Sequence, residues 1–211
     1  MDKELEIYCN QHSSVELIEL KELTRKTFLN VLNPRMLSGH CQGLLLQMIV
    51  AMIRPKRVLE IGTYTGYSAL CIAKNLPKDS LLYTIEINDE VATFAQKFFN
   101  TSEYGGKIIS YIGDANQIID GINEIFQIVF IDGNKRDYVK YYETIFEKVE
   151  SGGFILADNV LWDGHVLDNE KVKHDAQTKG ISDFNELIKN DERVEKLMLP
   201  LRDGLLLIRK K

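Results

Sequence analysis

Arg57-Val58-Leu59-Glu60-Ile61-Gly62-Thr63-Tyr64-Thr65-Gly66-Tyr67-Ser68-Ala69-Leu70 is the stretch that decides the fold. Its first five residues are a short β-prone run that stops at Gly62, where the chain can turn tightly. Residues 66–76 then take helical spacing, so the stretch reads strand, glycine turn, helix. Working towards the C-terminus, the same alternation repeats. A strand is expected at 81–87, a helix at 89–100 capped by Asp89, and a strand at Ile108–Ile112 followed by a helix opening at Asp114. Phe126–Ile131 is continuously apolar, as a central strand buried on both faces should be. A helix over 138–149 and a strand over 154–157 follow. Strands alternating with helices of ~10–12 residues predict an α/β, doubly wound, mostly parallel sheet. The end departs from the rhythm: a last helix at 184–189, then strands at Val194–Leu199 and 204–209. Only Leu201-Arg202-Asp203 lies between them after Pro200, too short for a parallel crossover, so an antiparallel edge hairpin is expected.

Working towards the N-terminus, the first 55 residues read as helical, from Leu17, Leu20 and Leu23 and then Leu44, Leu45, Met48 and Met52. A break falls at Asn33-Pro34. The 211 residues suit one domain (1–211), with 1–55 as a helical segment and 56–211 as the core. Net charge is −5, which argues against nucleic acid, since phosphate binding needs a basic field. Cys9, Cys41 and Cys71 match no disulfide or zinc framework, pointing to a reducing, cytoplasmic compartment. The most apolar run, 44–53, is shorter than the ~20 residues of a membrane span, and no signal segment is expected.

Ligands of such sheets bind outside the carboxyl ends of the strands. After the first strand, Gly62 and Gly66 allow a tight turn and a close backbone approach. The loop also reads as a plain turn with packing glycines. Its G-x-x-x-G spacing, with bulky Tyr64 inside, does not fit the G-x-G-x-x-G of a dinucleotide site. Glu86, ending the second strand, is placed to take both hydroxyls of a ribose. Asp114, in Gly113-Asp114-Ala115, could read an adenine amino group or simply cap its helix. Glu60, Glu86 and Asp114 form an acidic series that suits a cofactor carrying ammonium and sulfonium charges better than a pyrophosphate.

In combination, VLEIGTYTGYSAL, TIEIND, GDA, IDGNKRDY and ADNVLWDG resemble the metal-dependent small-molecule O-methyltransferases, the catechol and caffeoyl-CoA O-methyltransferase family, from about Arg35 to the C-terminus. The resemblance implies a seven-stranded, Rossmann-like methyltransferase sheet, S-adenosylmethionine as methyl donor and a homodimer, with 1–55 as the lid and dimer segment. Asp132 and Asp158-Asn159 close the fourth and fifth strands. Together they are hard oxygen donors suited to Mg²⁺, Mn²⁺ or Ca²⁺, although each alone could cap a loop; the family binds its metal at these positions. Lys135 could be an ordinary surface lysine. Beside a metal dication and a sulfonium its charged form is disfavoured, and the family uses this lysine as general base.

The resemblance further implies that Tyr64 and Ser68 contact the methionine part of the cofactor, and that Met36, Ser38 and Gly39 belong to a lid over it. Glu60, Gly62, Gly66, Glu86, Asp114, Ala115 and Asp132 complete the expected cofactor set. Trp162 is a candidate for stacking on an aromatic acceptor or for packing in core or lid, and His40 reads as structural. Catechol-type members carry His-Trp where this chain has Gly133-Asn134, so a neurotransmitter catechol is not expected. The rival readings are a methyltransferase acting on nucleic acid or protein, which needs no such oxygen cluster, and an NAD-dependent oxidoreductase, which the glycine loop disfavours.

Overall fold

The computed structural model describes residues 3–211, so the first two residues of the 1–55 segment lie outside the description. Helices α1 (Lys3–Gln11) and α2 (Ile18–Asn30), a 3-10 turn (Pro34–Met36) and α3 (His40–Ile53) precede the sheet. The alternating part is β1 (Arg57–Ile61), α4 (Tyr67–Asn75), β2 (Leu81–Glu86), α5 (Asp89–Thr101), β3 (Ile108–Ile112), α6 (Ala115–Gly121), β4 (Phe126–Ile131), α7 (Tyr138–Phe146) and β5 (Val149–Asp158). Helices α8 (Asn169–His174) and α9 (Ala176–Asn190) lead to β6 (Val194–Leu199) and β7 (Leu205–Lys210). The strands form one seven-stranded sheet in the order β3-β2-β1-β4-β5-β7-β6. β1 to β5 are parallel, and β7 runs antiparallel between β5 and β6.

The apolar strands are explained by burial on two sides. Successive side chains point to opposite faces, so Leu59, Ile61, Val129 and Ile131 pack with Tyr138, Tyr142, Phe184 and Ile119 on one side. Val58, Ile128 and Phe130 pack with Leu23, Leu46, Leu70 and Phe99 on the other. The strand order reverses between β1 and β4, and the crevice at that switch point is where the sheet offers room for a ligand.

Several boundaries differ from the sequence reading. Asn88, not Asp89, caps α5: its Oδ1 accepts from the backbone N–H groups of Glu90 (3.0 Å) and Val91 (3.2 Å). α7 stops at Phe146, and β5 starts at Val149, running through Gly152-Gly153 with an irregularity in its register against β4. The apolar run 44–53 is part of a longer segment; Pro34–Ile53 has the length and mean hydropathy (1.5) of a membrane span, and here α3 packs on α4. The polar stretch 161–178, where no element is expected from the sequence, holds helical turns. Asp168 and Asp175 cap α8 and α9 through their carboxylates, so α9 begins eight residues before 184. Its buried face starts with Thr178 and Gly180, which carry little apolar signal, before Ile181, Phe184 and Ile188.

Candidate functional site

Register brings the site together. Ile61 of β1 pairs with Ile85 of β2 and Ile131 of β4, Ile85 with Tyr111 of β3, and Ile131 with Ala157 of β5. The next residue on each strand is therefore Gly62, Glu86, Ile112, Asp132 and Asp158, a single row at the carboxyl edge. One cavity of about 1000 Å³ opens above this row, lined among others by Met36, Gly62, Tyr64, Glu86, Asp114, Ala115, Asp132, Lys135, Asp158, Asn159 and Trp162.

At the β1–β2 end, Glu86 is held by two backbone N–H groups, Tyr64 N on Oε2 (2.7 Å) and Asn88 N on Oε1 (3.0 Å). Its carboxylate plane is thus set before any ligand arrives, with lone pairs to spare. Asp114 both caps α6, taking Asn116 N at 2.9 Å, and lines the cavity, so its two readings are compatible. Tyr64 holds φ 47 and reaches back to the carbonyls of Leu32 (3.1 Å) and Asn33 (3.2 Å), tying the segment before α3 over the cavity. Gly62 has φ +100, and a Cβ there would stand 2.3 Å from the carbonyl oxygen of Asp132.

Four expected cofactor residues lie outside the lining. Ser38 is buried. Gly66 caps α4 against the Phe99 ring instead of facing the cavity. Glu60 is fully buried one row below the edge, where Thr84 Oγ1 donates to its Oε2 at 2.5 Å. Burial pushes its carboxyl up to about 8, against the hydroxyls of Ser68 and Thr84, with the charges of Asp132 and Glu86 adding to the rise. Ser68 thus faces Glu60.

At the β4–β5 end, Lys135 is buried, and its Nζ donates to Asp132 Oδ1 (2.8 Å) and to the Tyr138 hydroxyl (2.7 Å). That hydroxyl points between the carbonyls of Asp158 (3.0 Å) and Ile131 (3.2 Å). Burial first, then the charges of Asp132 and Asp158, push Tyr138 well above its ordinary range, so it stays a neutral prop for the lysine. The carboxyl of Asp158 is also raised, by burial and then by the facing charge of Asp132. Gln42 donates to Asp158 Oδ2 at 2.7 Å. Asn159 holds φ 58, a left-handed conformation that asparagine tolerates.

Two facing carboxylates, with an amide beside them on the same cavity wall, form a donor set that fits a hard divalent cation. Among the described residues, no group of three or more His, Cys, Asp or Glu side chains is placed to hold a metal. Trp162, φ 48, lines the cavity and packs against the core. His40 has a structural role, with Nε2 2.8 Å from Ser14 O.

The sequence reading missed Tyr138, Gln42 and Arg202. Tyr138 sits one helical turn after Lys135, a spacing that could have revealed it. Arg202 sits in the β6–β7 turn, which antiparallel pairing of Asp158 with Leu205 brings to the site. Gln42 is 116 residues from its partner and carries no local signal.

The chain matches the O-methyltransferase family model over residues 10–211. It is 32% identical over 202 residues to caffeoyl-CoA O-methyltransferase 2 of Zea mays, covering 91% of this chain and 75% of that protein. It is equally identical to the caffeoyl-CoA O-methyltransferase of Petroselinum crispum, covering 82% of it. Among solved structures, the tomaymycin-synthesis O-methyltransferase of Streptomyces achromogenes, in complex with S-adenosylmethionine, superposes with TM-score 0.92 at 25% identity, covering 100% of this chain and 99% of that one. A Bacillus cereus O-methyltransferase with bound S-adenosylhomocysteine gives 0.91 at 26%, covering 98% and 97%. A matching family model over nearly the whole chain, on a sheet whose carboxyl edge carries this cavity, makes the chain a member of the O-methyltransferase family: a class I, S-adenosylmethionine-dependent O-methyltransferase of the caffeoyl-CoA O-methyltransferase type.

Proposed function

We propose that this enzyme methylates one hydroxyl of a vicinal diol on a small phenolic acceptor, catechol-like or caffeoyl-type, with Asp132, Asp158 and Asn159 holding a divalent cation and Lys135 as general base. The observation that carries the reading is the placement of a buried lysine Nζ 2.8 Å from Asp132 on the same cavity wall as Asp158 and Asn159. A divalent cation there would chelate the diol and acidify its hydroxyls. Lys135, propped by the Tyr138 hydroxyl, takes the proton from the hydroxyl that reacts. The acceptor oxygen would then attack the methyl carbon in line as its bond to the donor's sulfonium sulfur breaks, leaving S-adenosylhomocysteine, and the enclosing walls supply proximity and orientation.

Glu86 takes the ribose hydroxyls, Asp114 and Ala115 the adenine, and Gly62, Tyr64 and Met36 the methionine end. Glu60, Ser68, Gly66 and Ser38 support that end from beneath. Trp162 lies against the acceptor ring. A net charge of −5 supports a small-molecule acceptor over nucleic acid. Three free thiols support the cytoplasm as compartment. The enzyme works as a homodimer with the 1–55 helices at the contact.

The test is methyl transfer from labelled S-adenosylmethionine to a panel of catechols, with Mg²⁺ and with EDTA, for wild type and Asp158→Ala. Turnover that needs both metal and Asp158 is expected. Undiminished turnover in EDTA would overturn the metal reading, and cofactor binding without turnover on any diol would overturn the acceptor class.

A further inference from the structure

Asp158 is held from a distant part of the chain. Gln42, on α3 and almost fully buried, donates Nε2 to Asp158 Oδ2 at 2.7 Å. Its own Oε1 accepts from Arg202 Nη1 at 2.8 Å, and Arg202 Nη2 donates to the carbonyl of Leu37 at 3.0 Å. A guanidinium only donates and a carboxylate only accepts, so the amide between them has one workable orientation. The neutral amide also steadies Asp158 without cancelling the charge a cation needs. A lysine at this position would neutralise it, and a glutamate would repel it.

Arg202 stands against its local preference. Its φ is 51, in a hairpin turn where a glycine would sit without strain. An arginine kept in such a conformation points to a task for its side chain. The turn that carries it is fastened to the strand-end loop, with Leu161 N on Asp203 O (2.9 Å) and Val160 N on Gly204 O (3.2 Å). Guanidinium, amide and carboxylate therefore lie on three elements that hold one another in register.

We infer that Gln42 and Arg202 are positioning residues for the cation site: Arg202 orients the Gln42 amide, and Gln42 orients Asp158. This rests on the metal reading above. The test is Mn²⁺ titration, followed by electron paramagnetic resonance of the free ion, on full-length wild type, Gln42→Leu and Arg202→Gly, with thermal unfolding of each. Wild type binds; Gln42→Leu binds about tenfold more weakly, the low end for lost partners of metal ligands. Arg202→Gly also binds more weakly, yet unfolds no earlier than wild type because glycine relieves the turn. Loss of affinity without loss of stability separates positioning from a merely structural role. Equal Mn²⁺ affinity in all three proteins overturns the inference and leaves the metal reading standing. A wild type that binds no Mn²⁺ overturns the metal reading itself, and the inference with it. If Gln42→Leu does not fold, the Arg202→Gly comparison decides.

Discussion

Gly62→Ala should separate the two halves of the site. The residue holds φ +100, a region that costs an L-residue about 1–3 kcal/mol. The added Cβ would also lie 2.3 Å from the Asp132 oxygen, 2.6 Å from its carbonyl carbon and 2.9 Å from Gly133 N. All three are main-chain atoms at the end of a central strand and cannot swing aside. Such overpacking costs about 1–3 kcal/mol more. Together these come to about 2–6 kcal/mol, or a fall in Tm of roughly 5–20 °C for a chain of this length. The relaxation that limits the loss would push Asp132 away from β1, so the variant should also bind S-adenosylmethionine and Mg²⁺ more weakly. Thermal unfolding and calorimetric titration measure both effects. Gly121→Ala is the control: it ends α6 at ordinary φ, with nothing within 4 Å of the new methyl, and should be neutral or stabilising by up to about 1 kcal/mol. If Gly62→Ala unfolds within 1 kcal/mol of wild type, the steric reasoning about the β1–β4 contact is wrong.

Glu60→Gln tests the buried carboxyl. Protonated below its unfolded value of 4.5 and held protonated in the fold to about 8, Glu60 contributes stability that is lost as pH rises from about 4.5 through about 8. The ligand-free wild type should therefore lose a few kcal/mol relative to Glu60→Gln across that window, at ~1.4 kcal/mol per unit. Parallel stability profiles for the two proteins in urea would refute it. Lys135→Met tests the proposed base while filling its space. Methyl transfer should fall by roughly 10²–10⁴-fold, with S-adenosylmethionine affinity within about threefold of wild type; turnover within tenfold of wild type would rule Lys135 out as the base.

How far the chain could be read depended on the range of each interaction. The run RVLEI, its glycine turn and the apolar FQIVFI encode their strands locally, because alternate side chains must fill a core on both faces. The seven strands, mostly parallel with an antiparallel edge, followed from alternation and from a hairpin too short for a crossover, while their order came from the structure. Asp132, Asp158 and Asn159 were visible because strand ends are legible and parallel neighbours share an edge. The helices over 161–178 were obscured. Their caps are aspartates, and the first turns of α9 bury Thr178 and Gly180 instead of apolar side chains.

What only the tertiary structure decided are the partners made by packing between elements distant in sequence. Glu60 reads like a strand-end ligand, but its row in the sheet puts it beneath the cavity, with Thr84 and Ser68 as companions. Gln42 meets Asp158 across 116 residues, and Arg202 meets Gln42 from the turn beyond an antiparallel edge. The sequence by itself determined the sheet and its carboxyl-edge oxygen donors, because periodicity and turns are short-range, while the class of chemistry came from the resemblance of its motifs to a known family. Which side chain holds which was settled by how α3, the β6–β7 turn and β5 close on one another, a contact set that no local pattern encodes.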